Sequence, residues 1–161
     1  MRLICVADSA GPQEYGVAWR AGLAPQIEVL TVPLAAASAA RPAIADLVDD
    51  RPYAVFGRGP CALAALEISR VLSRVRAPAQ LQVASCPAPR DSIQSISWPV
   101  TAFAVPGAGP GQADDMTRWR SVTTGPFTLR LLPDHAVNQT DGWADAATLL
   151  AVKEELRVWP N

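Results

Sequence analysis

The chain has 161 residues, half of them hydrophobic, and a formal net charge of −1, so we expect one domain, residues 1–161, with a well-buried core. Near-neutral charge and scattered arginines exclude the basic surface that nucleic-acid binding requires. The three cysteines, Cys5, Cys61 and Cys86, fit neither a disulfide framework nor the paired ligand spacing of a zinc site. We therefore expect reduced thiols, no metal and no cofactor.

The first residues, "MRLICVA", contain one arginine and a short apolar run before Asp8. This run is shorter than a signal peptide or a membrane span requires. The expectation is a cytoplasmic protein with no membrane association.

Six short apolar runs, rich in Val, Ile, Leu and Phe and lacking regular polar alternation, are typical of buried parallel strands. In chain order they are Leu3–Val6, Ile27–Val32, Tyr53–Phe56, Leu81–Ala84, Val100–Val105 and Phe127–Leu132. The predicted helices are Glu14–Ala21, Pro42–Asp49, Pro60–Arg74, Ala113–Ser121 and Gly142–Arg157. This alternation predicts an α/β fold in which helices cover both faces of a parallel sheet.

Several stretches carry motifs in a recognisable order: "LICVADSAG", "QIEVLTVPL", "DDRPYAVFGRG", "LQVASCPAPR", "WPVTAFAVPGAG" and "WRSVTTGPFTLRLLPDHAV". They resemble the type II (editing) thioesterases of polyketide and nonribosomal peptide pathways, which are α/β-hydrolases. The last stretch is the most specific, since it is similar to the family's "WREHTTGPFTLRVFPGGHFF". The resemblance covers nearly the whole chain and implies about six mostly parallel strands in the order 2-1-3-4-5-6.

The chain departs from this family at the catalytic positions. The family's "GHSMG" elbow is replaced by Gly57–Cys61, so Gly59 stands at the nucleophile position and Pro60 has no N–H for the oxyanion. The Pro106–Pro110 turn has no carboxylate to orient a histidine, and His135 is the remaining member of the triad. The chain is therefore not expected to be a serine thioesterase.

A further departure concerns the segment Cys86–Pro99, "CPAPRDSIQSISWP", which is rich in proline and has no helical period. The family has a helical lid in this connection, whereas here Arg90–Trp98 alone separates the matching pieces. The resemblance thus implies that the lid is absent, which would leave an apolar face suited to a partner or to a homodimer.

The candidate site residues are those that the resemblance places around the elbow: His135, Arg58 and Asp134 as candidate catalytic residues, and Asp8, Ser9, Gly59, Pro60 and Cys61 as candidate substrate-binding residues. Each also has a structural interpretation. His135 could be a hydrogen-bonded structural histidine, and Arg58 could be solvated rather than bound to an anion. Cys61 lies near a helix N-terminus, which favours a reactive thiolate, but its place in the motif favours an inert buried thiol.

Two functional hypotheses follow. The first is a pseudo-thioesterase that binds an acyl carrier protein, a pathway enzyme or a polyketide-like small molecule. The second is a repurposed enzyme, a cyclase, dehydratase or isomerase, with His135 as general acid or base. A third, a thioesterase with Cys61 or a bound water as nucleophile, is the least favoured because the oxyanion hole is damaged.

Overall fold

Six parallel strands form one sheet in the order β2-β1-β3-β4-β5-β6. The computed structural model describes residues 1–8, 17–35, 47–89, 94–104, 112–133 and 146–157. The strands are β1 (Arg2–Ala7), β2 (Glu28–Pro33), β3 (Tyr53–Arg58), β4 (Gln80–Ala84), β5 (Val100–Ala104) and β6 (Phe127–Leu131). The helices are α1 (Val17–Leu23), α2 (Cys61–Leu72), α3 (Gln112–Thr117) and α4 (Ala146–Arg157), with a 3-10 turn at Arg118–Val122. The predicted fold class and strand order are confirmed.

Two predicted helices differ from the structure. The helix expected to reach Asp49 does not do so, because the Asp49 carboxylate accepts hydrogen bonds from the Arg51 backbone N–H and guanidinium, both at 2.9 Å, and so favours a turn. The helix expected over 113–121 is helical only to Thr117 and continues as the 3-10 turn. Residues 14–16, 42–46 and 142–145 of the predicted helices lie outside the described residues.

The sheet separates two hydrophobic cores. Side chains alternate along β3, so Tyr53 and Val55 pack with α2, whereas Ala54 and Phe56 pack with α1 and α4. We call these the α2-side core and the α4-side core. Because both faces of the sheet are covered, the central strands are apolar at nearly every position, which explains why the sequence lacks polar alternation.

A chain of polar side chains crosses the α4-side core. Gln82 Nε2 donates to Gln80 Oε1 at 2.7 Å, and Gln80 Nε2 donates to Thr101 Oγ1 at 2.5 Å. Thr101 Oγ1 donates to the Glu155 carboxylate at 3.2 Å, which also accepts from Arg130 Nε at 2.5 Å. All these bonds point toward the carboxylate on α4, so they attach that helix to β4, β5 and β6.

Candidate functional site

The candidate site lies at the edge of the sheet where the strands end. Parallel strands present their carboxyl ends together, and ligands of α/β folds bind at this edge. Asp8 follows β1 and is exposed, and the half-buried Arg58 ends β3. Arg58 is in register with Ala84 of β4, so the next residues, Gly59 and Ser85, are neighbours.

The turn from β3 into α2 requires glycine at two positions. A Cβ on Gly57 would overlap the Cys61 carbonyl oxygen and would lie 2.7 Å from the Ala65 Cβ, so α2 packs directly against the strand backbone here. Gly59 has a φ of 52°, which side-chain-bearing residues rarely adopt. Its N–H donates to the Ala84 carbonyl at 2.9 Å. The chain therefore forms a sharp strand-to-helix turn like the one on which α/β-hydrolases carry a nucleophile. The residue at its tip, Gly59, has only a hydrogen atom as its side chain.

Pro60 follows the turn and is exposed at the start of α2. Its φ of −56° is a helical value that the pyrrolidine ring favours. In a hydrolase, the residue after the nucleophile donates its N–H to the oxyanion. Pro60 has no N–H, so this turn offers no such donor.

The three cysteine side chains are buried and form no disulfide. Cys61 is fully buried in the α2-side core, so its predicted burial is confirmed. Burial raises the pKa of the Cys5 thiol and that of the Cys86 thiol. Cys5 and Cys86 are thus held in the neutral form, which is a poor nucleophile.

Four of the candidate residues, Asp8, Arg58, Gly59 and Pro60, lie together at this edge. The other surface candidates, Ser9, Asp134 and His135, lie outside the described residues, as does the Pro106–Pro110 turn.

Ser85 is a residue of this edge that the sequence did not identify. It has a φ of 51° although it is not glycine, and it is half-buried directly beside Gly59. Non-glycine residues with positive φ are uncommon and cluster at functional sites. The one feature of the sequence that could have indicated Ser85 as a site residue is its position directly after the fourth predicted strand. Serine is common at such positions, so this feature is not distinctive.

Within the described ranges, no three His, Cys, Asp or Glu side chains are grouped as a metal ion would require. No described helix is both long and apolar enough to cross a bilayer.

Comparisons with known proteins give matches among solved structures. No protein-family model and no curated protein sequence matches the chain. The RedJ thioesterase from the prodiginine pathway of Streptomyces coelicolor is 19% identical, with a TM-score of 0.77 over 96% of this chain and 90% of that one. The type II thioesterase BorB from the borrelidin cluster is 18% identical, with a TM-score of 0.74 over 97% of this chain and 92% of that one. YbtT, a type II thioesterase from the yersiniabactin NRPS/PKS pathway, is 14% identical, with a TM-score of 0.67 over 97% of this chain and 91% of that one. The chain thus has the α/β-hydrolase fold of these thioesterases.

Proposed function

We propose that this protein is a thioesterase-like component of polyketide or nonribosomal peptide biosynthesis that has lost thioester hydrolysis and acts by binding. Its target is an acyl carrier protein, a pathway enzyme or a polyketide-like intermediate. The observation that carries the proposal is the turn between β3 and α2. Its backbone has the shape of a nucleophile elbow, but it holds Gly59 and Pro60 in place of a nucleophile and an oxyanion donor.

The chemistry of acyl transfer explains why this step matters. Gly59 has no hydroxyl to attack a thioester, and its own N–H is already bonded to the Ala84 carbonyl. Loss of a catalytic serine costs about a millionfold in kcat, and loss of one oxyanion-hole donor costs about a hundredfold to a thousandfold. The elbow lacks both groups, which favours binding over hydrolysis.

The connection between β4 and β5 supports a crevice open to a partner. Ser85–Pro89 and residues 94–99 contain no helix in the part of this connection that the structure describes. A lidless crevice does not enclose an acyl chain or exclude water, but it leaves room for a protein surface to approach the elbow.

The second candidate function is a non-hydrolytic step on a polyketide-like intermediate. It is favoured by the polar groups beside the elbow, since Asp8, Arg58 and Ser85 all lie at this edge. In this alternative His135 acts as general acid or base, helped by Arg58, Asp8, Ser9 or Asp134.

Hydrolysis is tested by incubating the purified protein with acyl-N-acetylcysteamine and with acyl-carrier thioesters. We expect release of free acid at the background rate. We expect the Gly59→Ser variant to remain inactive as well, because Pro60 still provides no N–H. Turnover by the unaltered protein that disappears in Cys61→Ala would overturn the proposal and establish a cysteine nucleophile.

Binding and catalysis are separated by complementation of a deletion strain. If the protein acts by binding, His135→Ala should restore the final metabolite to the level that the unaltered gene gives. Loss of product with His135→Ala, in a variant whose circular dichroism and melting temperature are unchanged, would favour the enzyme. General acid-base assistance typically contributes about a hundredfold to ten-thousandfold, so this difference is measurable.

A further inference from the structure

A second cleft lies at the opposite edge of the sheet from the elbow. It separates the C-terminal half of α2 from residues 94–98, which lead into β5, and its volume is about 390 Å³. One wall is formed by Glu67, Arg70 and Val71, whose spacing of three and four residues places them on one side of α2, and by Arg74 in the turn that follows the helix. The volume falls within the range of small-molecule sites.

The facing wall is held in place by backbone pairing. The Ile96 N–H donates to the Val122 carbonyl at 2.9 Å, and the Thr124 N–H donates to the Ile96 carbonyl at 2.8 Å. The Thr123 hydroxyl donates to the Trp98 carbonyl at 2.7 Å. This wall is therefore formed before any ligand arrives, which lowers the entropy cost of binding.

The charged groups of the cleft leave one cation available. The Arg70 guanidinium donates to the Glu67 carboxylate at 2.6 Å and to the Gln94 carbonyl at 2.5 Å, so the acidic side chain of this cleft is already neutralised. Arg74, in the turn that follows α2, is exposed; its backbone N–H donates to the Val71 carbonyl at 3.3 Å, whereas its guanidinium forms no hydrogen bond or ion pair with any residue that the structure describes.

The remaining lining adds apolar surface. Ile96 is almost fully buried, and Val71 and Trp98 are half-buried. The cleft thus combines a cation with partly exposed apolar side chains, and the one carboxylate among its lining residues, that of Glu67, is already paired with Arg70.

We propose that this cleft binds a small organic anion. A carboxylate or phosphate group pairs with the Arg74 guanidinium, whose planar donors match two anionic oxygens. The apolar body of the ligand packs against Val71 and Trp98, which are partly exposed. This site is independent of the elbow and extends beyond the proposed function.

The proposal is tested by titration calorimetry with benzoate, phenyl phosphate and the neutral analogue benzyl alcohol. We expect saturable binding of at least one of the two anions and none of benzyl alcohol; comparing benzoate with phenyl phosphate identifies the preferred head group. Arg74→Gln should weaken binding about 10-fold to 100-fold, since a charge-assisted hydrogen bond is lost.

Two variants serve as controls. Arg157→Gln removes an exposed arginine from α4, on the other face of the sheet, and should leave the affinity unchanged. Ser95→Tyr places a bulky side chain in the cleft from its exposed wall and should abolish binding without altering the melting temperature. No saturable heat with either anion, equal binding of benzyl alcohol, or equal affinities of Arg74→Gln and Arg157→Gln would overturn the proposal.

Discussion

Replacing Gly57 with alanine should destabilise the protein, because α2 leaves no space for a side chain there. The added Cβ would overlap the Cys61 carbonyl oxygen and would lie 2.7 Å from the Ala65 Cβ. Both obstacles belong to the first turns of α2 and cannot rotate away, so the helix as a whole must shift. Overpacking of this kind costs about 1–3 kcal/mol. We expect the upper end of this range, which lowers the melting temperature of a domain of this size by about 6–12 °C.

The matched control is Gly22→Ala in α1. There the new Cβ would lie 2.7 Å from the Leu149 Cδ2, which is the far end of a flexible, half-buried side chain that can change rotamer. Alanine also gains about 1 kcal/mol of helix propensity over glycine, so Gly22→Ala should be neutral or stabilising. Urea denaturation followed by circular dichroism measures both free energies of unfolding. A Gly57→Ala protein as stable as Gly22→Ala would refute the reasoning.

Two further predictions concern ion pairs. Arg130→Ala removes the exposed cation that pairs with the buried Glu155 carboxylate and should cost about 1.5–3 kcal/mol. Arg118→Ala breaks a pair in which both side chains are exposed and should cost at most about 1 kcal/mol in the same urea experiment; equal effects would contradict the role of burial. The side-chain hydrogen bond from Arg51 lowers the pKa of Asp49 from 3.8 to about 2. The ionised Asp49 carboxylate therefore stabilises the folded state fully above about pH 4, and this stabilisation is lost as the pH falls toward 2. The melting temperatures of the unaltered protein and Asp49→Asn should accordingly differ at pH 6 and converge at pH 2, and a difference independent of pH would contradict this assignment.

The sheet was predictable because buried parallel strands have a simple signature, and each of the six apolar runs corresponds to a strand. The buried glutamines of β4 show where that signature fails. "QLQVA" resembles a half-exposed strand, yet Gln80 and Gln82 are both buried, because Gln82 donates to Gln80 and Gln80 donates to Thr101 on a distant segment. Local sequence does not reveal which polar side chains find such partners.

The candidate site was predictable in the same uneven way. The elbow was found because Gly57 and Gly59 are required by its backbone, and that requirement is visible as a motif. The φ of Ser85 and the cleft beside Arg74 were not predicted, since both depend on how β4, α2 and residues 94–98 pack in three dimensions.

The layer that covers the α4-side core is assembled from distant parts of the chain. α1 follows the first strand and α4 follows the last, and the Lys153 ammonium group donates to the Gly22 carbonyl at 2.5 Å where these helices meet. During synthesis on a ribosome, α2 can pack on β3 as soon as both have emerged, whereas this face of the sheet waits for α4. Until then Phe103 and the neighbouring apolar side chains remain only partly covered, so the nascent chain exposes an apolar surface that α4 later conceals.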